Sequence, residues 1–142
     1  MNTKNGIALF VSLIFAIAMF SQTSEKEEIQ EVIEQSYIKG LIDAGDFDEA
    51  RKGIHENFII WGHRDTTLTS KTRDEWIAQR KKRPDLAKVD YSIVFIDISD
   101  EAASAKVEMS RGNIWAVDYI FLYKFKNTWR IVSAIDHVKR LD

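Results

Sequence analysis

The chain has no cysteine among its 142 residues. No disulfide braces it, no thiolate serves as a nucleophile and no Cys-based metal site can form. There is one proline, Pro84, and there are six glycines, none arranged as a phosphate-cradling loop. A G-x-S-x-G nucleophile elbow is absent too. Only three histidines occur, His55, His63 and His137, and their spacing matches no metal motif such as HExxH. Neither sign of charge dominates: 20 basic residues stand against 22 acidic ones, a net charge of −2. That balance excludes a broadly basic surface for nucleic acid or anionic lipid. Beyond Phe20 no apolar run approaches the ~18 residues that a membrane-crossing helix requires.

What is present begins with an export signal. Lys4 supplies a positive start, and Ile7 to Phe20 is apolar apart from Ser12. Small and polar residues follow from Ser21 to Ser24. This charged, apolar, small-residue order predicts a cleavable secretory signal over residues 1–22 and one domain over residues 23–142. The apolar stretch is shorter than the ~20 residues of a spanning helix. Cleavage after Gln22 removes Lys4 and leaves 19 basic against 22 acidic residues, or −3. Without a cysteine the protein is no lipoprotein, so the expectation is a domain free in the periplasm or the medium.

Three helix starts carry capping signals: Ser24-x-x-Glu27, Asp46-x-x-Glu49 and Thr72-x-x-Glu75. The first opens an amphipathic helix with Ile29, Val32, Ile33, Tyr37, Gly40 and Leu41 on one stripe. The second runs from Asp46 to about Ile54, and the third from Thr72 to about Arg83, where Pro84 stops it. The basic cluster Arg80-Lys81-Lys82-Arg83 reads as the solvated end of that helix. Phe58–Trp61 and Thr66–Thr69 read as short strands around a turn at His63-Arg64-Asp65. After Pro84 the period becomes two. Strands are expected over Val89–Ile98, Ala102–Ser110, Ile114–Phe125 and Thr128–Val138. Connections this short demand an antiparallel meander.

This order, helices with a short strand pair and then a four-stranded meander, resembles the NTF2-like (cystatin-like cone) fold. The local sequence agrees. Tyr37-Ile-Lys-Gly-Leu-Ile-Asp-Ala-Gly-Asp46 resembles the end of that superfamily's first helix, and His55-Glu-Asn-Phe-Ile-Ile-Trp-Gly62 its first strand. Val117-Asp-Tyr-Ile-Phe-Leu-Tyr-Lys-Phe125, followed by Trp129-Arg-Ile-Val132, resembles its closing hairpin. Within the superfamily the chain is most similar to a bacterial group labelled "putative lumazine-binding". The resemblance implies an α+β cone, with N-terminal helices packed on a curved, mainly antiparallel sheet around a conical pocket. Its motifs specify packing and turns, and so carry fold better than chemistry. An exported domain would not meet the cytosolic riboflavin-pathway intermediates that the label suggests.

Some relatives of this fold are ketosteroid isomerase-like enzymes. That chemistry needs a carboxylate base, with a tyrosine and a protonated aspartic acid as oxyanion donors. Through the matching segments the base position is Gly62, the acidic donor falls on Phe121, and the tyrosine falls at Ile38, one residue from Tyr37. The mechanism is therefore not expected, and no catalytic residue is assigned. With Lys126-Asn127 as a two-residue turn, unbroken alternation places His137 opposite Ala116, beside Asp118. An Asp/His pair can do acid–base work, but the isomerase pattern turns this face outward. His55 reads as a cap on the second helix and His63 as part of an exposed turn.

The other face carries Tyr119, Phe121, Val132, Ala134 and Asp136, and is expected to line the cone. Tyr37 and Trp76 would close over it. The candidate pocket is thus Tyr37, Trp76, Tyr119, Phe121 and Asp136, apolar with a few orienting polar groups. The expected ligand is a small hydrophobic or aromatic molecule, with no cofactor and no metal. Strands apolar on both faces also predict a homodimer through the convex side. Two other readings stay open: a hydrolyase or isomerase using an Asp with Tyr or His in the cone, and an interaction module whose cone is filled by side chains.

Overall fold

The computed structural model describes residues 24–81, 83 and 85–142. Residues 1–23, which hold the expected signal segment, Lys82, and Pro84, the expected stop of the third helix, lie outside the described residues. Helix α1 covers residues 24–42, α2 Phe47–Gly53 and α3 Arg73–Lys81. The strands are β1 Ile54–Arg64, β2 Thr67–Thr72, β3 Asp90–Ser99, β4 Ala102–Arg111, β5 Ile114–Phe125 and β6 Thr128–Arg140.

The capping signals of α2 and α3 act as their sequences require. Asp46 Oδ1 accepts from the amides of Asp48 and Glu49, both at 3.0 Å. The Thr72 amide donates to Glu75 Oε2 at 2.8 Å, while the Glu75 amide donates back to Thr72 Oγ1 at 3.3 Å. Helix α1 departs from simple periodicity. From Ile33 to Ile42 it is π-helical, and seven of those ten residues are buried. The wider turn buries Ser36, Ile38 and Ile42 as well as the expected stripe, so this half of α1 is packed on more than one side. Gly53 makes the contact with α2 close: a Cβ there would sit 2.1 Å from Ser36 Oγ.

One six-stranded sheet has the order β2-β1-β6-β5-β4-β3. The meander β3 to β6 is antiparallel throughout, and β1 lies parallel to β6. Strand β1 is longer than its apolar run suggests, and its turn into β2 lies at Asp65-Thr66, with Asp65 at φ 54°. The helices cover one face of the sheet. Ala105, Val107, Ile120, Leu122, Trp129, Ile131 and Ala134 are buried there with Ile29, Ile33, Leu41 and Phe58.

The closing hairpin contains a β-bulge. Phe125 opposes Thr128 and Leu122 opposes Ile131, but Phe121 opposes Ser133. Val132 is the extra residue. Because side chains alternate with period two, one inserted residue exchanges the two faces of β6 relative to β5. His137 therefore opposes Val117, not Ala116, and leaves the face of Asp118. Asp136 opposes Asp118 instead.

Candidate functional site

The bulge places two carboxylates side by side on the concave face. Asp118 is 2% exposed. It accepts a 2.6 Å hydrogen bond from the Tyr37 hydroxyl, which the π-helical half of α1 delivers to the sheet. Burial holds the Asp118 carboxyl up at about 7, against the opposing pull of the Tyr37 hydrogen bond. Burial, and then the Asp118 charge, push the Tyr37 hydroxyl well above the ordinary tyrosine value. Asp136 is half-buried. Burial raises its carboxyl too, with Lys71 and His63 pulling it back down.

Gly62 makes the room for Asp136. A Cβ at position 62 would meet Asp136 Oδ1 at 2.1 Å. The carboxylate from β6 thus occupies the space into which a side chain at the end of β1 would project. Gly62→Ala is expected to displace that carboxylate towards solvent. Carbon-detected NMR titration should then find the Asp136 pKa lowered towards the ordinary aspartate range; an unchanged value would show that the backbone gives way instead.

Around this floor stands an aromatic wall. Trp76, 7% exposed, meets Tyr37 edge-on at 5.9 Å and stacks on Phe58 at 6.5 Å. A cavity of about 270 Å³ opens above Asp118 and Asp136, walled by Trp76, Met109, Ile114 and Val138. It adjoins a more polar hollow of about 530 Å³ that reaches Gly62, Ser70 and Lys71. Arg80 and Arg83 border both.

Of the five candidate pocket residues, Trp76 and Asp136 line the cavity, and Tyr37 lies under it through Asp118. Tyr119 and Phe121 do not belong to the site. They stand on the convex face, 43% and 40% exposed, because β5 turns the alternate residues Asp118, Ile120 and Leu122 to the helices, and the bulge at Val132 takes Asp136 out of their company. Val132 drops out of the concave set as the bulged residue, while Ala134 remains, opposite Ile120. Asp118, on the face that the isomerase pattern turns outward, is the buried acid.

The histidines lie elsewhere. His137 stacks on His63 at 5.7 Å. His55, the second residue of β1, accepts from the Asn57 amide through Nδ1 at 3.1 Å and stacks on Phe125 at 5.1 Å, so its ring does not cap α2. Among the described residues no group of three His, Asp or Glu side chains is placed to hold a metal, and no helix is long and apolar enough to cross a membrane.

Known structures share this architecture. An NTF2-like protein of unknown function from Silicibacter pomeroyi superposes with a TM-score of 0.74 at 18% identity, covering 83% of this chain and 98% of its own. One from Shewanella baltica, also of unknown function, gives 0.73 at 25% identity over 82% and 95%. A ketosteroid isomerase-like protein from Erwinia carotovora gives 0.60 at 10% identity over 78% and 92%. No curated protein matches. The family described as "Putative lumazine-binding" matches residues 24–137. With its α+β cone and this span of matching sequence, the chain belongs to that family, on the NTF2-like fold.

Proposed function

We propose that this chain is an exported, homodimeric binding domain whose cone takes up a small, partly aromatic or hydrophobic molecule. The observation that carries the reading is the buried Tyr37–Asp118 pair, set with Asp136 in the floor of an otherwise largely apolar cavity of about 270 Å³. Apolar walls supply affinity, and a few fixed polar groups orient the ligand. A cone filled by side chains would leave no such space. Export rests on the Lys4 and Ile7–Phe20 pattern alone. The dimer is supported by Trp61, Tyr119, Phe121, Phe125 and Ile135, which share the convex face at 37% to 49% exposure.

A second reading, proton transfer on the bound molecule, is favoured by the acid pair itself. Asp118 is poised at about 7 with Tyr37 as its donor, and Asp136 stands opposite on the neighbouring strand. Asp136 would act as the base, in the space above Gly62.

Native mass spectrometry of protein purified from its own host tests each part. The expected species is a dimer of chains beginning after Gln22, with added mass from a retained ligand that Trp76→Ala loses. A chain starting at Met1 removes the export reading, a monomer at high concentration removes the dimer, and no added mass counts against binding. A ligand whose mass or structure changes during incubation with the protein decides for the enzyme.

A further inference from the structure

The basic cluster at the end of α3 does more than face solvent. Arg80 and Arg83 border both hollows, and Arg111 reaches the smaller one from the end of β4. The three charges are close enough that Arg111 and Arg83 each depress the Arg80 pKa, after burial, which does so most. Arg111 is anchored: its Nη2 donates to the Ile42 carbonyl at 3.1 Å and to Asp43 Oδ1 at 2.9 Å. Arg80 makes no ion pair among the described residues. Its guanidinium lies over the Trp76 ring at 5.7 Å. Among the described residues the Nε atoms of Arg80 and Arg111 are buried without a hydrogen-bond partner. Buried donors left unpaired are costly, and an acceptor supplied from the cavity would satisfy them. A planar guanidinium matches a carboxylate in two parallel hydrogen bonds.

We propose that the cone's ligand is a small organic carboxylate, its charged end held by Arg80 with Arg83 and Arg111 and its apolar body lying on Trp76, Ile114 and Val138. This rests on the binding reading and names the ligand class for the same cavity. Asp118, the buried acid in the floor, does not oppose it. Burial keeps protons on Asp118 to near neutrality and raises Asp136 in the same direction. A protonated carboxyl donates to a ligand oxygen where an ionised one would repel it.

Two probes with one two-ring body separate the possibilities: 2-naphthoate, which is anionic, and 2-naphthalenemethanol, which is neutral. Calorimetry measures affinity, and amide shifts at Ala116 and Val138 locate binding in the cone. Naphthoate is expected to bind at least about tenfold more tightly, the order of one charge-assisted hydrogen-bonded pair. Arg80→Met should remove that margin and leave the alcohol unchanged. Raising salt from low to high concentration on the unaltered protein should weaken naphthoate alone. Equal affinities within the cone overturn the carboxylate assignment, leave the binding reading standing and make Arg80 a counter-charge for Asp118. If neither probe shifts the cone amides, the binding reading fails and this inference with it.

Discussion

Between pH 5 and pH 8 the protein is expected to lose about 3 kcal/mol of stability, and Asp118→Asn is expected to keep most of it. The folded state holds the Asp118 proton up to about 7, whereas the unfolded chain releases it near 3.8. Between those values the native state binds more protons than the unfolded one, so stability falls as pH rises. The stabilising contribution is complete below 3.8 and exhausted above 7. An asparagine keeps an acceptor for the Tyr37 hydroxyl without a charge to desolvate. The variant should retain only the shallower slope due to Asp136, whose carboxyl burial also raises. Thermal melts across this range check it: about 10 °C separates the ends of the wild-type curve for a domain of this size. Parallel curves for the two proteins would mean that the Asp118 carboxyl is hydrated.

The larger single loss is expected from Phe58→Ala, at about 3–5 kcal/mol. Phe58 is fully buried in β1. Its ring meets Tyr37 edge-on at 6.5 Å and stacks with Trp76 at 6.5 Å. Truncation removes the packing of a whole ring and leaves a cavity beside the Tyr37–Trp76 pair, which α1 and α3 hold in place. Against a typical stability of about 5–15 kcal/mol, this consumes a large share. The urea midpoint should fall with little change in slope, since the surface exposed on unfolding is nearly the same. The cone should suffer as well, because Trp76 loses the partner that sets its wall. A loss below about 1 kcal/mol would show that the rings collapse together without cost.

Much of the fold is written locally. Asp46, Thr72 and Glu75 bind the amides that their spacing assigns, and the meander follows from two-residue turns and alternation. What local pattern hides is long-range or conformational. The parallel union of β1 with β6 joins residues some 75 positions apart, and no turn announces it. The π-helical half of α1 keeps a helical apolar stripe, so Ile38 and Ser36 look peripheral although they are buried.

The bulge is the costliest omission. Val132-Ser133 contains no glycine, and an unbroken strand is the simplest reading of Thr128 to Val138. Tyr37 and Trp76 lie on helices, where faces follow from spacing, and the structure sets Trp76 in the cavity wall and Tyr37 against Asp118. Asp136 faces the cavity in the company of Asp118, whereas unbroken alternation groups it with Tyr119 and Phe121. The isomerase pattern turns Asp118 outward, and the contact that holds it inside, with Tyr37, lies 81 residues away where no local spacing shows it. The sequence shows Arg80 and Arg83 as a basic cluster, but only the cavity gives them a direction.

The extra residue in β6 gives this domain a parity on which its chemistry depends. Every position from Ser133 to Arg140 takes its side of the sheet from a single count made at Val132. Shortening the strand there by one residue would leave composition, length and hydrophobicity almost untouched. It would turn Ile135 and His137 inward and send Asp136 out. The mutation that most thoroughly rewrites this site is therefore a deletion of one aliphatic residue that touches none of the acids.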